Sequence, residues 1–270
     1  ANAMTIQTIE THAARLKAHI EKTDFGHVGH ICFSYPERMN AVDLEGWLAL
    51  PDLFAKLQQL DDLRLIVLSG AGGKAFVAGA DISQFEEAFS GPTSGQYDRA
   101  TIDGFDAIAA CPVPTLAAIE GHCIGGGLGI ALSCDVRLAR DDSLFGIPAG
   151  RLGLAYPANA TRRLVDTVGA AYAKQIIFTA GKFDCTEAMR MGLVNQISTA
   201  ENFAASRDAL IAQICANAPM SLQSSKFIIE NRDASSEDIS QRLADCLESA
   251  DYAEGRQAFM AKRTPVFTGK

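Results

Sequence analysis

Three consecutive glycines, Gly125, Gly126 and Gly127, follow an apolar run at 115–119 and lead into a small-residue apolar segment ending at Asp135. Glycine at this density marks backbone that must approach something closely or adopt positive φ. If the segment continues as a helix, the glycines lie at its N-terminus. Unpaired N–H groups and the positive end of the helix dipole then face whatever binds there. A second small-residue turn, Ala78-Gly79-Ala80-Asp81, precedes this one in the chain. Two such turns, each presenting backbone N–H groups, can form an oxyanion hole.

Taken singly, each turn has a plainer reading. Residues 74–81 suit an ordinary strand-to-helix loop with Asp81 as cap, and the three glycines suit close helix–strand packing. Neither fits a dinucleotide fingerprint, and the chain contains no G-K-[ST] phosphate loop, H-E-x-x-H or G-x-S-x-G.

The 270 residues are about half hydrophobic, ample for a core. A formal net charge of −8 and a pI of about 5.1 argue against a nucleic-acid or membrane partner, which requires a basic surface. The seven cysteines are scattered, odd in number and free of C-x-x-C pairs. That pattern predicts a reduced, cytoplasmic chain with buried thiols and neither a disulfide framework nor a metal site. No apolar run approaches ~18 residues, so no transmembrane helix is expected. Ala1–Ala3 ahead of Met4 read as an appended leader and are set aside.

The elements that must position the two turns follow from periodicity. Alternation over 29–35, with Ile31, Phe33 and Tyr35 on one side, predicts a strand, and 36–40 a loop. Asp43 can cap a helix to about Leu60 whose face holds Leu44, Trp47, Leu48, Phe54 and Leu57, kinked or divided by Pro51. The apolar run 63–69 predicts a strand buried on both faces. A glycine-rich loop at 70–74 and residues 75–81 then lead into a helix from Ile82, with a mobile segment at 90–94. A helix at 96–110 and strands at 115–119 and 135–139 follow. Strand and helix alternate through this half, which predicts an α/β fold. Helices are expected at 161–168, 171–180 and 184–191, a short strand at 193–197, and amphipathic helices at 200–217, 220–231, 236–250 and 254–263. The division is an α/β core at 4–198 and a helical region at 199–270, packed on that core or on a neighbouring subunit.

Together the two turns resemble a known family. K-A-F-V-A-G-A-D-I at 74–82 and P-V-P-T-L-A-A-I-E-G-H-C-I-G-G-G-L-G-I-A-L-S-C-D at 112–135 are similar to the two signature segments of the enoyl-CoA hydratase/isomerase (crotonase) superfamily. P-E-R-M-N-A at 36–41, F-T-A-G-K-F-D-C-T-E-A-M-R-M-G-L-V at 178–194 and E-G-R-Q-A-F-M-A-K-R-T-P-V-F-T-G at 254–269 agree in the same order. The resemblance implies a spiral of repeated ββα units with a C-terminal helical trimerisation region, assembled as a homotrimer or dimer of trimers. It implies an acyl-CoA thioester as substrate, so that coenzyme A arrives with the substrate and no cofactor is bound permanently. The oxyanion donors would be the N–H groups of Ala80 and Gly126. Arg38 and Ala41 in the first loop, and Ala78, Asp81 and Ile82 at the first turn, would lie along the coenzyme. Gly125, Ala149 and His122 are further candidates for contact with the substrate; His122, next to the glycine run, could donate a proton, while its position in the family suits a packing role. Phe267 would meet the nucleotide, together with Lys262 or Lys270, from the same or a neighbouring subunit.

The sequence departs from the family's hydratases at two places. The glutamate of their G-G-G-x-E pattern corresponds to Gly129, and the glutamate of F-G-x-P-E to Ala149. Hydration needs one group to activate water and another to deliver a proton, and neither residue can do so. Tyr156, in Leu152-Gly153-Leu154-Ala155-Tyr156, resembles the L-G-x-x-Y of the family's methylmalonyl-CoA decarboxylases, where the tyrosine lines the acyl pocket. A pocket-wall aromatic with its hydroxyl bonded nearby is the alternative. Arg151 and Asn159 could hold a carboxylate or water. Three functions remain open at this point: an enolate-stabilising enzyme of the family, a decarboxylase of the same fold, and a non-catalytic acyl-CoA binder.

Overall fold

The computed structural model describes residues 6–79 and 95–270. Two strands that the sequence pattern does not announce open the chain: β1 (Ile6–Ile9) and β2 (Leu16–Thr23), paired antiparallel. β2 also pairs antiparallel with β3 (Gly26–Phe33). Then come β4 (Leu63–Gly70), β5 (Ala75–Ala78), β6 (Thr115–Ile119), β7 (His122–Ile124), β8 (Val136–Arg140), β9 (Leu144–Gly146), β10 (Lys182–Asp184) and β11 (Gln196–Ser198). They form a seven-stranded sheet in the order β1-β2-β3-β4-β6-β8-β11 and a four-stranded sheet in the order β10-β9-β7-β5. From β3 onward the large sheet is parallel, and β5, β7 and β9 are parallel in the small one. Each unit therefore places one strand in each sheet before its helix, as in the expected ββα spiral.

β4 is buried along Leu63–Leu68 because both faces of the large sheet are covered. Its inner face meets the small sheet and the helices Leu44–Leu57, Gln96–Ala109 and Gly126–Ser133. Its outer face, with Val28, Leu65, Val67, Leu116 and Leu138, packs under Phe203, Ile211 and Cys215 of the helix Phe203–Cys215. The first helix of the C-terminal region thus covers the sheet of its own chain. Lys226, on the helix Pro219–Glu230, docks on the body by donating to Asp135 at 2.7 Å and to the Val113 carbonyl at 3.2 Å.

Several expectations are corrected in detail. Asp43 caps the helix Leu44–Leu57 by accepting from the Gly46 N–H at 2.8 Å, but Pro51 does not divide it. Proline inside a helix costs about 3 kcal/mol. Burial of Trp47, Leu50, Leu53, Phe54 and Leu57, at roughly 1.5–3 kcal/mol per large side chain, outweighs that. Leu48 is exposed, and Leu50 and Leu53 take the inward positions. Residues 75–78 are a strand rather than a loop, and the last short strand is Gln196–Ser198 rather than 193–197. The chain from 158 to 179 is helical with a break at Gly169 (φ 77°), as the two expected helices imply. The helix expected from Ile82 and the segment 90–94 lie outside the described residues.

The helix Gly126–Ser133 is buried along Gly127–Ser133, so its terminal carbonyls cannot reach water. Arg137, itself buried, meets them from the next strand. Its Nη1 donates to the carbonyls of Ala131 (3.2 Å) and Cys134 (2.7 Å), and its Nε to that of Leu193 (2.7 Å). A cation at a helix C-terminus also complements the dipole. At the other end of the chain, buried Asp251 accepts from the N–H groups of Thr268 (2.7 Å) and Gly269 (2.8 Å). Glu254 accepts from Arg263 and from the Val266 N–H (2.9 Å). The E-G-x-x-A-F-x-x-K-R segment is therefore a brace for the tail. Arg137→Leu should strand the buried carbonyls of Cys134 and Leu193, the Ala131 carbonyl keeping the Cys134 N–H, and lower unfolding free energy by about 3 kcal/mol, read as a fall in the denaturant midpoint at constant m-value.

Candidate active site

The registers of the small sheet bring three loops to one edge. Ala78 of β5 pairs with Ile124 of β7, which pairs with Gly146 of β9. The C-terminal ends of three parallel strands are thus level, the usual place for a ligand in α/β sheets. Cross-loop hydrogen bonds fix them: Gly79 N–H donates to the Ile124 carbonyl at 2.8 Å, and Gly125 N–H to the Gly146 carbonyl at 2.9 Å. The first loop joins from the side, where Ala78 N–H donates to the Met39 carbonyl at 2.9 Å. Buried Asn40 ties that loop down, donating to the carbonyls of Ala71 (2.9 Å) and Ala75 (2.7 Å) and accepting from Tyr35 N–H (2.8 Å). Asn40 is the reason P-E-R-M-N-A has its asparagine.

The glycine run turns the chain from β7 into the helix. Gly125 sits at φ 59°, ψ −115°, where a side chain would be strained. A Cβ on Gly127 would lie 1.9 Å from the Val77 carbonyl oxygen, so the helix start rests directly on β5. Among the described residues, the Gly126 N–H, at the first helical position, has no acceptor. A Cβ built on Gly126 would lie 3.9 Å from the Gly79 oxygen, so the two turns singled out in the sequence are neighbours. Ala80, Asp81 and Ile82 lie outside the described residues.

Behind these loops is an aromatic wall that the sequence reading misses. A Cβ on Gly126 would meet Trp47 Cζ2 at 3.1 Å, and one on Gly129 would meet Phe105 Cζ at 2.3 Å. Trp47 and Phe105 pack edge to face, 5.3 Å between centroids, and both are fully buried. Trp47 Nε1 donates to Tyr97 Oη at 2.8 Å, and that hydroxyl donates to the Val42 carbonyl at 2.9 Å. The signal was present: glycines three apart on a buried helix leave a hollow that only large side chains from other elements can fill.

The other candidates divide into two groups. Tyr156 is at the site, its hydroxyl donating to the Gly125 carbonyl at 2.8 Å. The ring keeps some surface while the hydroxyl end is inside, and burial pushes the phenol well above its usual range. Ala149 begins a 3-10 turn, Ala149–Leu152, two residues beyond the Ile147 that follows β9. Arg38 is exposed on the first loop, and Ala41 is buried beside it, its N–H on the Arg38 carbonyl at 3.0 Å. His122 is at the opposite end of β7, roughly 10 Å of chain from Gly125. There burial and nearby Lys182 lower its pKa. Phe267 packs over Gly255, and its carbonyl accepts from Arg64 at 2.8 Å. Arg64 opens β4, and the eight residues of that strand, roughly 25 Å, run away from it toward the site loops. One chain alone does not bring Phe267 to Gly125. Arg151 is exposed, and Asn159 donates to Asp106 (3.0 Å) and the Ile102 carbonyl (3.2 Å).

Known proteins are similar to this chain in sequence and fold. A short-chain-enoyl-CoA hydratase of Clostridium acetobutylicum is 31% identical over 245 residues, 88% of this chain and 93% of that protein. The mitochondrial Delta(3,5)-Delta(2,4)-dienoyl-CoA isomerase of Mus musculus is 32% identical over 254 residues, 88% of this chain and 77% of that one. The crystal structure of an enoyl-CoA hydratase/carnithine racemase from Magnetospirillum magneticum superposes with a TM-score of 0.90 at 30% identity, covering 97% of both chains. The enoyl-CoA hydratase/isomerase family itself matches residues 25–270. With that match over most of the chain, and relatives more than 30% identical, the chain belongs to the enoyl-CoA hydratase/isomerase family.

Proposed function

We propose that the protein binds an acyl-CoA thioester and stabilises its enolate between the backbone N–H groups of Ala80 and Gly126. The observation that carries this reading is the Gly126 N–H, without an acceptor among the described residues, at the start of a buried helix, beside Gly79 and level with three strand ends. Such a donor is worth on the order of 3–4 kcal/mol of barrier when negative charge develops on the oxygen it faces. In this reading Arg38, Ala41 and Ala78, with Asp81 and Ile82 following in sequence, would lie along the coenzyme. Coenzyme A enters and leaves with the substrate.

The reaction on that enolate, in this reading, does not use the paired glutamates of the family's hydratases. Position 129 is glycine and position 149 alanine. Phe105 fills the space beside Gly129, leaving no room for even a methyl group. A substrate that generates its own carbanion suits such a site, and this favours a second reading, decarboxylation of an acyl-CoA. Loss of CO₂ leaves the enolate directly, and one proton source completes the reaction. A non-catalytic acyl-CoA binder is the third reading, distinguished by binding without turnover. The assembly we infer is a homotrimer or a dimer of trimers. Leu243, Leu247, Phe259 and Met260 on the last two helices, exposed in the single chain, support it.

Gly126→Pro should decide the oxyanion assignment. Proline suits the first helical position and removes the N–H, its ring Cδ taking the place of the hydrogen and its Cβ meeting the Trp47 edge. Across 2-enoyl-, 3-enoyl- and methylmalonyl-CoA, whichever wild type converts should fall roughly 10²–10³-fold in kcat. Gly126→Ala, which keeps the N–H but meets the same Trp47 edge, should fall far less. Equal losses in both would refute the assignment.

The Phe105–Gly129 contact gives a second test. Gly129→Ala alone should cost about 1–3 kcal/mol through overpacking. Combined with Phe105→Ala, the penalty should be less than the sum of the two, measured by denaturant titration. The triple change Phe105→Ala, Gly129→Glu, Ala149→Glu should raise 2-enoyl-CoA hydration above wild type. Efficient hydration by the wild type would overturn the reading that the carboxylates are dispensed with. Light scattering should report three or six times the 28.8 kDa chain mass, with Phe259→Glu shifting it downward.

A further inference from the structure

We propose that Tyr156 is a positioning residue that acts through the Gly125–Gly126 peptide: its hydroxyl holds and polarises the unit whose N–H faces the thioester oxygen. This rests on the thioester reading above and assigns Tyr156 a task other than proton transfer to substrate. The carbonyl of Gly125 and the N–H of Gly126 belong to one peptide group. That carbonyl accepts two hydrogen bonds, from the Gly129 N–H at 3.1 Å within the helix and from the Tyr156 hydroxyl at 2.8 Å. Hydrogen bonds to a peptide oxygen draw electron density from its nitrogen, so the N–H on the other side becomes a better donor. Such cooperative strengthening is roughly 10–30% per bond.

Orientation matters as much as polarity. Gly125 and Gly126 have no Cβ to bias the peptide plane, and Gly125 is already outside the ordinary regions of φ and ψ. The Gly129 bond is at the long end of the normal range and belongs to the first turn of a helix, where fraying begins. The shorter phenolic bond, from a ring anchored by the chain before the helix Ala158–Thr179, supplies the second fixed point. A donor held in place before reaction costs no reorganisation during it. Burial keeps the phenol protonated across the working pH range, so it remains a donor. A tyrosine with its proton committed to a backbone carbonyl is poorly placed to give that proton to a substrate carbon.

The probe is acetyl-CoA labelled with ¹³C at the thioester carbonyl, whose stretching frequency in the bound state reports the strength of the oxyanion donors without requiring turnover. Wild type should shift the band to lower frequency than in water. Tyr156→Phe should bind the probe within about threefold of wild type and lose a measurable part of the shift. In whichever reaction the wild type catalyses, it should lose kcat about tenfold with KM little changed. Fluorotyrosine at 156, a stronger hydrogen-bond donor, should enlarge the shift. A Tyr156→Phe band identical to wild type overturns the inference while leaving the thioester reading intact. A band that weakens in Tyr156→Phe but does not respond to fluorotyrosine also overturns it, because only packing would then have changed. Wild type that binds no acetyl-CoA overturns the thioester reading and this inference together.

Discussion

The backbone of one short helix rests on the backbone of one short strand, and the rest of the site depends on that contact. At Gly127 the helix start comes so near the Val77 carbonyl that a Cβ would sit 1.9 Å from its oxygen. A helix held off by side chains would begin several ångströms further out, and its first N–H groups would no longer be level with Gly79 and Gly146. The large parallel sheet, the second sheet and the covering helix Phe203–Cys215 supply the rigidity that lets such an approach persist. Arg137 supplies the matching condition at the far end, because a fully buried helix cannot leave its last carbonyls unpaired.

The same helix explains the chemistry that surrounds it. Gly126 and Gly129 are one turn apart, and both look onto aromatic side chains contributed by other helices, Trp47 and Phe105. At position 129 this chain has no side chain, and the space beside it is filled by the Phe105 ring. Introducing an acid there is therefore not a single substitution: the hole and its plug are one packed unit, and changing either costs stability. The proposed decarboxylase or other self-activating enolate chemistry is compatible with a neutral, aromatic wall, since a low-dielectric surround strengthens fixed backbone dipoles.

The legibility of these features in the sequence follows the range of the interaction that creates them. Helix boundaries near Asp43, Gln96 and Gly169 are set by caps and periodicity within a few residues, and they read correctly. The apolar run of β4 reads correctly because burial on both faces leaves a continuous signal. The small sheet does not: β5, β7, β9 and β10 have three or four residues each, too few for a period of two to register. Pro51 misleads because burial of its neighbours, a tertiary effect, overrides a local penalty. In the site, glycines declare that something must come close, but not what. Phe105 and Trp47 come from helices 24 and 79 residues earlier than the glycines they fill, counting from Gly129 and Gly126.

Tyr156 shows the same limit from the other side. Its position in L-G-x-x-Y suggests contact with an acyl group, and the chain brings it to the Gly125 loop. Its hydroxyl, however, is directed at the Gly125 carbonyl, a backbone atom that no side-chain pattern can reveal. A residue chosen for what it could do to a substrate is bonded instead to the peptide proposed to meet the substrate. Enzymes that stabilise charge with backbone dipoles must hold those dipoles still, and here three glycines remove every local restraint on them. The restraint has to come from a distant side chain that can donate to a carbonyl, cannot ionise in a buried setting and is rigid enough to reach across two loops. Serine is too short, lysine and arginine bring a charge that is costly to bury, and tyrosine meets all three requirements.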